Sequence, residues 1–257
     1  METYLVNLIV IAALMTALWV VSVIVRVASI VDPFWGLAFV AIAWSTFLQR
    51  SPGGNTSSVP LFVPMLVTIW GVRLSAYLAW RNLGHGEDFR YVRMRERFGN
   101  RFPLISLFVV FLLQAFLAWL VSFPVQASVG IAEPAAAFAI AGVALWAIGL
   151  FFETTGDLQL AAFKRDPANK GKVMDRGLWR YTRHPNYFGD FCAWWGFFLI
   201  AASAGQWWTV FGPLLMSILL IRISGAGLLE KTIGDRRPGY AEYIRKTSGF
   251  FPMPPKA

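Results

Sequence analysis

A single cysteine, Cys192, and two histidines, His85 and His184, are all that a chain of 257 residues offers of the usual thiolate and imidazole metal ligands. One thiol excludes an internal disulfide and a multi-cysteine centre, and two histidines do not make a zinc site, so no metal is expected. Charge is also scarce, with 14% of residues charged against 57% hydrophobic. The chain has no Gly-x-Gly-x-x-Gly run between a strand and a helix, no Walker sequence and no nucleophile elbow. Any dinucleotide must therefore bind without a Rossmann domain, and neither the P-loop nor the α/β-hydrolase signature is present. No repeat of fixed period is visible, and no linker is long enough to separate two domains.

What the sequence does have is apolar residues in long blocks, the mark of a polytopic membrane protein. Blocks of about 20 residues fall at Leu5 to Val25, Pro33 to Leu48, Val59 to Trp80, Leu104 to Val125, Ile131 to Phe152, Tyr187 to Ala202 and Gln206 to Leu229. The expected fold is all-α: seven transmembrane helices in one bundle, forming a single domain over residues 1–257. The first block runs into the next spans without a small-residue cleavage site and reads as a retained helix.

Lys and Arg crowd Arg81 to Arg101, Lys164 to Arg183 and the tail after Glu230, while the loops around Gln126 and Ser203 have none. By the positive-inside rule the N-terminus lies outside and the C-terminus in the cytoplasm. The net charge of +9 is thus chiefly a topology signal. Nothing interleaves the basic residues into a soluble module, so no nucleic-acid partner is expected. Membrane lipids are the expected surroundings, and no obligate protein partner is implied. Between the spans, Ser51 to Ser58 reads as a flexible turn, Tyr91 to Phe98 as a short basic helix and Tyr240 to Lys246 as a short amphipathic one after the Pro238-Gly239 break. Span five is expected to continue past the membrane, because Glu153, Asp157, Leu160 and Lys164 keep helical spacing until Pro167.

The odd polar residues gather at one end of these spans. Asp32 opens span two, Arg73 and Tyr77 close span three, Glu153 and Asp157 close span five, Asn186 and Asp190 open span six, and Arg222 lies late in span seven. All are cytoplasmic ends, and the outer halves carry few such groups, which points to a polar cavity in the inner leaflet. Each residue also has a plainer reading: Arg222 snorkelling, Tyr77 in an interfacial belt, Asp32 capping its helix before Pro33, and Gln114 bonding between helices. Trp179, Trp194, Trp195, Trp207 and Trp208 read as belt and packing residues. The Arg-, Lys-, Asn- and Tyr-rich inner surface suits a soluble cofactor, nicotinamide or S-adenosyl, above a chamber open to lipophilic substrates.

Gly177 to Asp190 (GLWRYTRHPNYFGD), then Trp194-Trp195-Gly196, Glu230-Lys231, Gly239-Tyr240-x-x-Tyr243 and Phe251-Pro252, resemble the C-terminal region of the steroid 5-alpha-reductase superfamily, in particular a bacterial member. The likeness runs from about Trp70 to Pro252 and is weak over the first two spans. An Arg-His-Pro-x-Tyr-x-Gly run also occurs in isoprenylcysteine carboxyl methyltransferases, which use S-adenosylmethionine. There an apolar residue follows the glycine, whereas Asn186 to Asp190 matches the reductase form, Asn-[Tyr/Phe]-x-Gly-[Asp/Glu].

The resemblance implies an NADPH-dependent oxidoreductase of a bacterial inner membrane with its cofactor site facing the cytoplasm. Residues 1–58 would form substrate-side helices and 59–257 a reductase core. It implies that Asp157, Lys164, Tyr181, Arg183, His184, Asn186, Asp190, Arg222 and Tyr243 hold or support NADPH. Tyr77 would hydrogen-bond the ketone of a lipophilic enone, a 3-oxo-4-ene steroid above all, with Trp35 and Gln114 beside it. The steroid enzymes carry a Gln-Glu pair in the second span; this chain has Asp32 with Trp35, so Asp32 is expected as the acidic partner of Tyr77.

Overall fold

A computed structural model describes residues 2–51, 61–82, 84, 86–130, 135–223 and 239–256. The turn after Ser51, His85, residues 224–229 of the seventh span, the Glu230-Lys231 pair and Pro238 lie outside the described residues. The chain forms two compact units, Met1–Glu133 and Pro134–Ala257. Among the described residues the only β pairing is an isolated parallel bridge between Thr182 and Ser248.

In the first unit, α1 (Glu2–Val25), α2 (Val31–Arg50) and α3 (Phe62–Asn82) are spanning helices that follow the first three apolar blocks. A short helix, α4 (Phe89–Phe98), leads through a turn into α5 (residues 102–121), whose middle widens into a π-helical stretch at Leu107–Leu112. Ser122 ends α5, and the Phe123–Ser128 helix, α6, follows. Small residues let α2 and α3 touch backbone to backbone: a Cβ on Gly71 would lie 2.6 Å from the Gly36 carbonyl oxygen. Close approach through small residues is the usual way lipid-embedded helices gain packing without a hydrophobic drive.

The end of this unit opposite Asp32 holds a polar network, buried except at Gln49, that the sequence does not announce. The Asn7 amide donates to Thr46 Oγ1 at 2.7 Å and to Gln126 Oε1 at 2.9 Å, and Gln49 donates to Asn7 Oδ1 at 3.0 Å. Gln126 in turn donates to Ser122 Oγ at 2.8 Å and the Trp119 carbonyl at 3.3 Å. The polar groups are therefore not confined to the end of the helices where Asp32 lies. Satisfied in this way, they fix the relative rotation of α1, α2 and α6, where apolar packing alone would tolerate slippage.

In the second unit, α7 (Ala136–Arg165) is 30 residues long, about 45 Å at the standard rise, against a hydrocarbon core of about 30 Å. It is thus longer than a single crossing needs, and it continues through Glu153 to Lys164 as their helical spacing predicts. Asp166 then caps a 3-10 turn at Pro167–Asn169 by accepting from the Ala168 N–H at 2.9 Å. Antiparallel to α7 runs α8 (Pro185–Ala202), followed by apolar α9 (Phe211–Ile218), which continues into a π-helical turn at Leu219–Ile223, and by α10 (Tyr240–Lys246).

Glycines at seven-residue intervals make the α7–α8 seam. A Cβ on Gly142 would sit 2.7 Å from the Gly196 carbonyl oxygen, and one on Gly189 2.5 Å from that of Gly149. Among the described residues, five helices are long and apolar enough to cross a membrane: Glu2–Val25, Ala28–Arg50, Phe62–Asn82, Phe89–Val121 and Ala136–Arg165. The helices at Pro185–Ala202 and Trp207–Ile223 are shorter or less apolar.

Candidate functional site

The glycine seam decides what meets at the end of the second unit. Gly156, one heptad beyond Gly149, brings α7 against the start of α8: its missing Cβ would lie 3.1 Å from the Pro185 ring and 3.2 Å from the Asn186 nitrogen. That contact places the Asn186 amide 3.1 Å from Asp157 Oδ1, to which it donates, while Asn186 Oδ1 accepts from the Tyr187 N–H. Asp157 and Glu153 are each 3% exposed. A carboxylate buried away from water is costly unless it is paired or hydrogen-bonded. Two on one helix, one held by an amide, are more than helix packing requires.

The segment before α8 is fastened to both α7 and the C-terminal tail. Trp179 Nε1 donates to the Gly156 carbonyl at 3.0 Å, and Gln159 Oε1 accepts from the Leu178 N–H at 2.9 Å. On its other side, Thr182 bridges Ser248 and its hydroxyl donates to the Phe250 carbonyl at 2.7 Å. The Arg183 guanidinium donates to the Ile244 and Thr247 carbonyls, the Met253 N–H donates to the Tyr181 carbonyl, and the Tyr243 hydroxyl donates to the Trp179 carbonyl. Arg183 and Tyr243, which the resemblance assigns to the cofactor, thus make contacts that shape the segment. His184 is buried and stacks on Tyr187 with ring centroids 5.5 Å apart. Around this packed core Lys164, Arg165, Lys170, Lys172, Arg176 and Arg180 are exposed, as are the Tyr181 ring and Arg222.

A second polar cluster lies in the first unit. Asp32 accepts from Arg90 Nη2 and from the Tyr91 hydroxyl, both at 2.8 Å, and the Gln114 side chain lies near the same hydroxyl. The sequence singled out Asp32 and Gln114, and the structure joins them through Tyr91, which it had left in a basic surface helix. Tyr91 is 4% exposed. The hydrogen bonds of the Asp32 carboxylate are thus with Tyr91 and Arg90 rather than Tyr77, because α4 folds back over the start of α2. Tyr77 sits half-buried on α3, with the Arg73 guanidinium 5.6 Å from its ring centroid and Trp80 beside it. Trp35 meets Phe39 edge-to-face at 5.2 Å.

Outside the spans, Asp88 caps α4. Burial alone would raise its carboxyl, but hydrogen bonds from the Arg90 side chain and backbone N–H, with the charges of Arg90 and Arg81, hold it below the ordinary carboxylate range. Glu87 ties the same loop down by accepting from the Ala28 N–H and from Arg95. Asp88 and Arg90 are two residues apart, but Glu87 meets Arg95 across eight positions and Ala28 across fifty-nine, and no sequence spacing announces those contacts.

A family model described as a protein of unknown function, DUF1295, matches residues 18–247. An uncharacterized protein of Schizosaccharomyces pombe is 28% identical over 263 residues, covering 91% of this chain and 75% of that protein. A probable O-methyltransferase of Ustilaginoidea virens is 41% identical over 46 residues, 18% of this chain and 16% of that protein. No solved structure matches.

Proposed function

The chain belongs to the DUF1295 family, and from that premise and the Asp157–Asn186 site we propose that it is an NADPH-dependent membrane reductase of the steroid 5-alpha-reductase kind. Its substrate would be the C=C bond of an α,β-unsaturated ketone in a flat apolar lipid, of which 3-oxo-4-ene steroids are the type. In this reading the helices at Pro185–Ala202 and Trp207–Ile223 complete seven crossings of a bacterial inner membrane, with the N-terminus outside and the cofactor site in the cytoplasm.

The observation that carries the proposal is the hydrogen bond from Asn186 to Asp157 at the edge of an exposed cationic segment, on the residues that resemble the reductases. The donor set fits the cofactor's chemistry. Lys164, Arg176 and Arg180 are exposed to solvent, where binding of phosphates needs them. The Asn186–Asp157 pair offers the amide and carboxylate that a carboxamide or ribose hydroxyl needs. Arg183 and Tyr243 keep the segment in shape. The bound cofactor would supply the hydride. Addition at the β carbon leaves negative charge on the ketone oxygen, and Tyr77 would donate its hydroxyl proton toward that oxygen, a role that rests on the resemblance.

Calorimetry on the purified chain in detergent tests the cofactor first. Saturable NADPH binding, weakened about tenfold or more by Asn186→Ala through loss of a charged hydrogen bond, is the expected result, and its absence would dispose of the reading. Turnover is then followed as nicotinamide oxidation with a panel of enones, testosterone and progesterone included, with products identified by mass. Tyr77→Phe should lose turnover and keep NADPH binding. The similarity to a probable O-methyltransferase favours a second reading, an S-adenosylmethionine-dependent lipid methyltransferase. Titration with S-adenosylmethionine in the same calorimeter separates the two.

A further inference from the structure

The arginines of α4 look equivalent in the sequence FRYVRMRERF, but the fold sorts them into two sets. Arg90 and Arg95 turn inward: Arg90 pairs with Asp32 and Asp88, and Arg95 with Glu87 at 2.8 Å. Arg93 and Arg97, with Arg101 in the following turn, face outward and make no ion pair with a described residue. The exposed stripe Phe89, Val92, Arg93, Glu96, Arg97, Asn100 and Arg101 follows helical spacing. It therefore carries two apolar side chains, three cations and one acid. Arg93 lies over the Phe89 ring at 5.4 Å, so charge and apolar surface share one patch.

The helix is also tethered close to the ends of helices long enough to cross a membrane. Only residues 83–88 separate it from the end of α3 at Asn82, a reach of at most about 21 Å. The turn Gly99–Arg101 leads directly into α5, and Asp32 at the head of α2 grips its inner face through Arg90 and Tyr91. Exposed apolar residues beside outward cations, on a short helix at the mouth of membrane spans, match an anionic lipid interface in both polarity and charge.

We propose that the outward face of α4, Phe89, Val92, Arg93, Arg97 and Arg101, is a docking surface for the headgroups of anionic phospholipids in the same membrane. This inference does not depend on the reductase reading. By holding α4 down, anionic lipid would also hold Tyr91 and Arg90 on Asp32.

The test uses the full chain in vesicles of phosphatidylcholine containing either spin-labelled phosphatidylglycerol or spin-labelled phosphatidylcholine as probe, with selectivity for the anionic probe read from the motionally restricted signal. A basic residue near the surface contributes about a fivefold preference, so Arg93→Gln/Arg97→Gln/Arg101→Gln should lower selectivity at least about threefold even though other basic loops remain. Glu96→Gln, which removes the one acid of the stripe and disturbs no buried contact, should raise it. Unchanged selectivity in the triple variant, or a fall in Glu96→Gln, overturns the proposal. So does displacement of the anionic probe by millimolar inorganic phosphate, which would mark a site for a soluble anion, and so does a selectivity equal for the two probes in the unaltered protein.

Discussion

Replacing Gly189 by alanine tests whether the α7–α8 seam positions the candidate site. The new Cβ would lie 2.5 Å from the Gly149 carbonyl oxygen and 2.5 Å from the Glu153 nitrogen, about 1 Å inside the separation at which such contacts become favourable. Both obstacles are backbone, so no side chain can swing aside and the helices must part by about that distance. Overpacking of this kind costs about 1 to 3 kcal/mol, read as a lower SDS concentration at the unfolding midpoint. The Asn186–Asp157 hydrogen bond, now 3.1 Å, would open beyond bonding distance and forfeit about 1 kcal/mol, roughly a fivefold loss of nucleotide affinity. Gly142→Ala is the control. It meets the Gly196 carbonyl oxygen at 2.7 Å and should lose comparable stability, but it lies two heptads from Gly156 and should leave nucleotide affinity within about twofold. A Gly189→Ala protein that unfolds at the normal midpoint would refute the backbone-contact argument, and equal affinity losses in the two variants would refute the link from seam to site.

Three further outcomes are expected. Asp32→Asn removes the charge that anchors Arg90 and Tyr91 and should speed tryptic cleavage within residues 90–101 several-fold, reflecting about 1 to 2 kcal/mol of lost anchoring. Because the Asp88 carboxyl is held below its unfolded value, its support of α4 should be constant from pH 7 to about 5 and fade below about 4, as pH falls through the folded pKa. Hydrogen exchange of residues 89–98 checks this, and Asp88→Asn should flatten the acid limb. Gln126→Leu leaves the buried Asn7 amide short of an acceptor and should cost about 1 to 3 kcal/mol, more than Gln49→Leu at the exposed rim, in the same SDS titration.

The spans were legible because apolar runs of membrane length have few alternatives: the first three blocks match α1, α2 and α3 to within three residues. The extension of α7 to Arg165 was legible too, since helical spacing persists until Pro167 forbids it. Partners were not legible. Asp32 meets Tyr91 across 59 positions and Asn7 meets Gln126 across 119, and nothing in an amide or a phenol says which distant group it will satisfy. Tyr91 was hidden for a second reason: in a basic stretch a lone aromatic reads as surface, and only the return of α4 over α2 buries it. Arg183 and Tyr243 show the converse. Their place in a recognisable motif marked them as important, but their contacts are with main-chain carbonyls of the tail and of the segment itself.

The bridge between Thr182 and Ser248 sets an order of events during translation. The stretch from Gly177 to His184 leaves the ribosome well before the residues that fasten it, so helices α7 and α8 can insert and pair while their connecting strand still lacks its strap. Nascent or prematurely released chains that end before Tyr243 would then have sound helices and an unfinished surface around Gly177 to His184, giving quality-control proteases a ready distinction between complete and incomplete product.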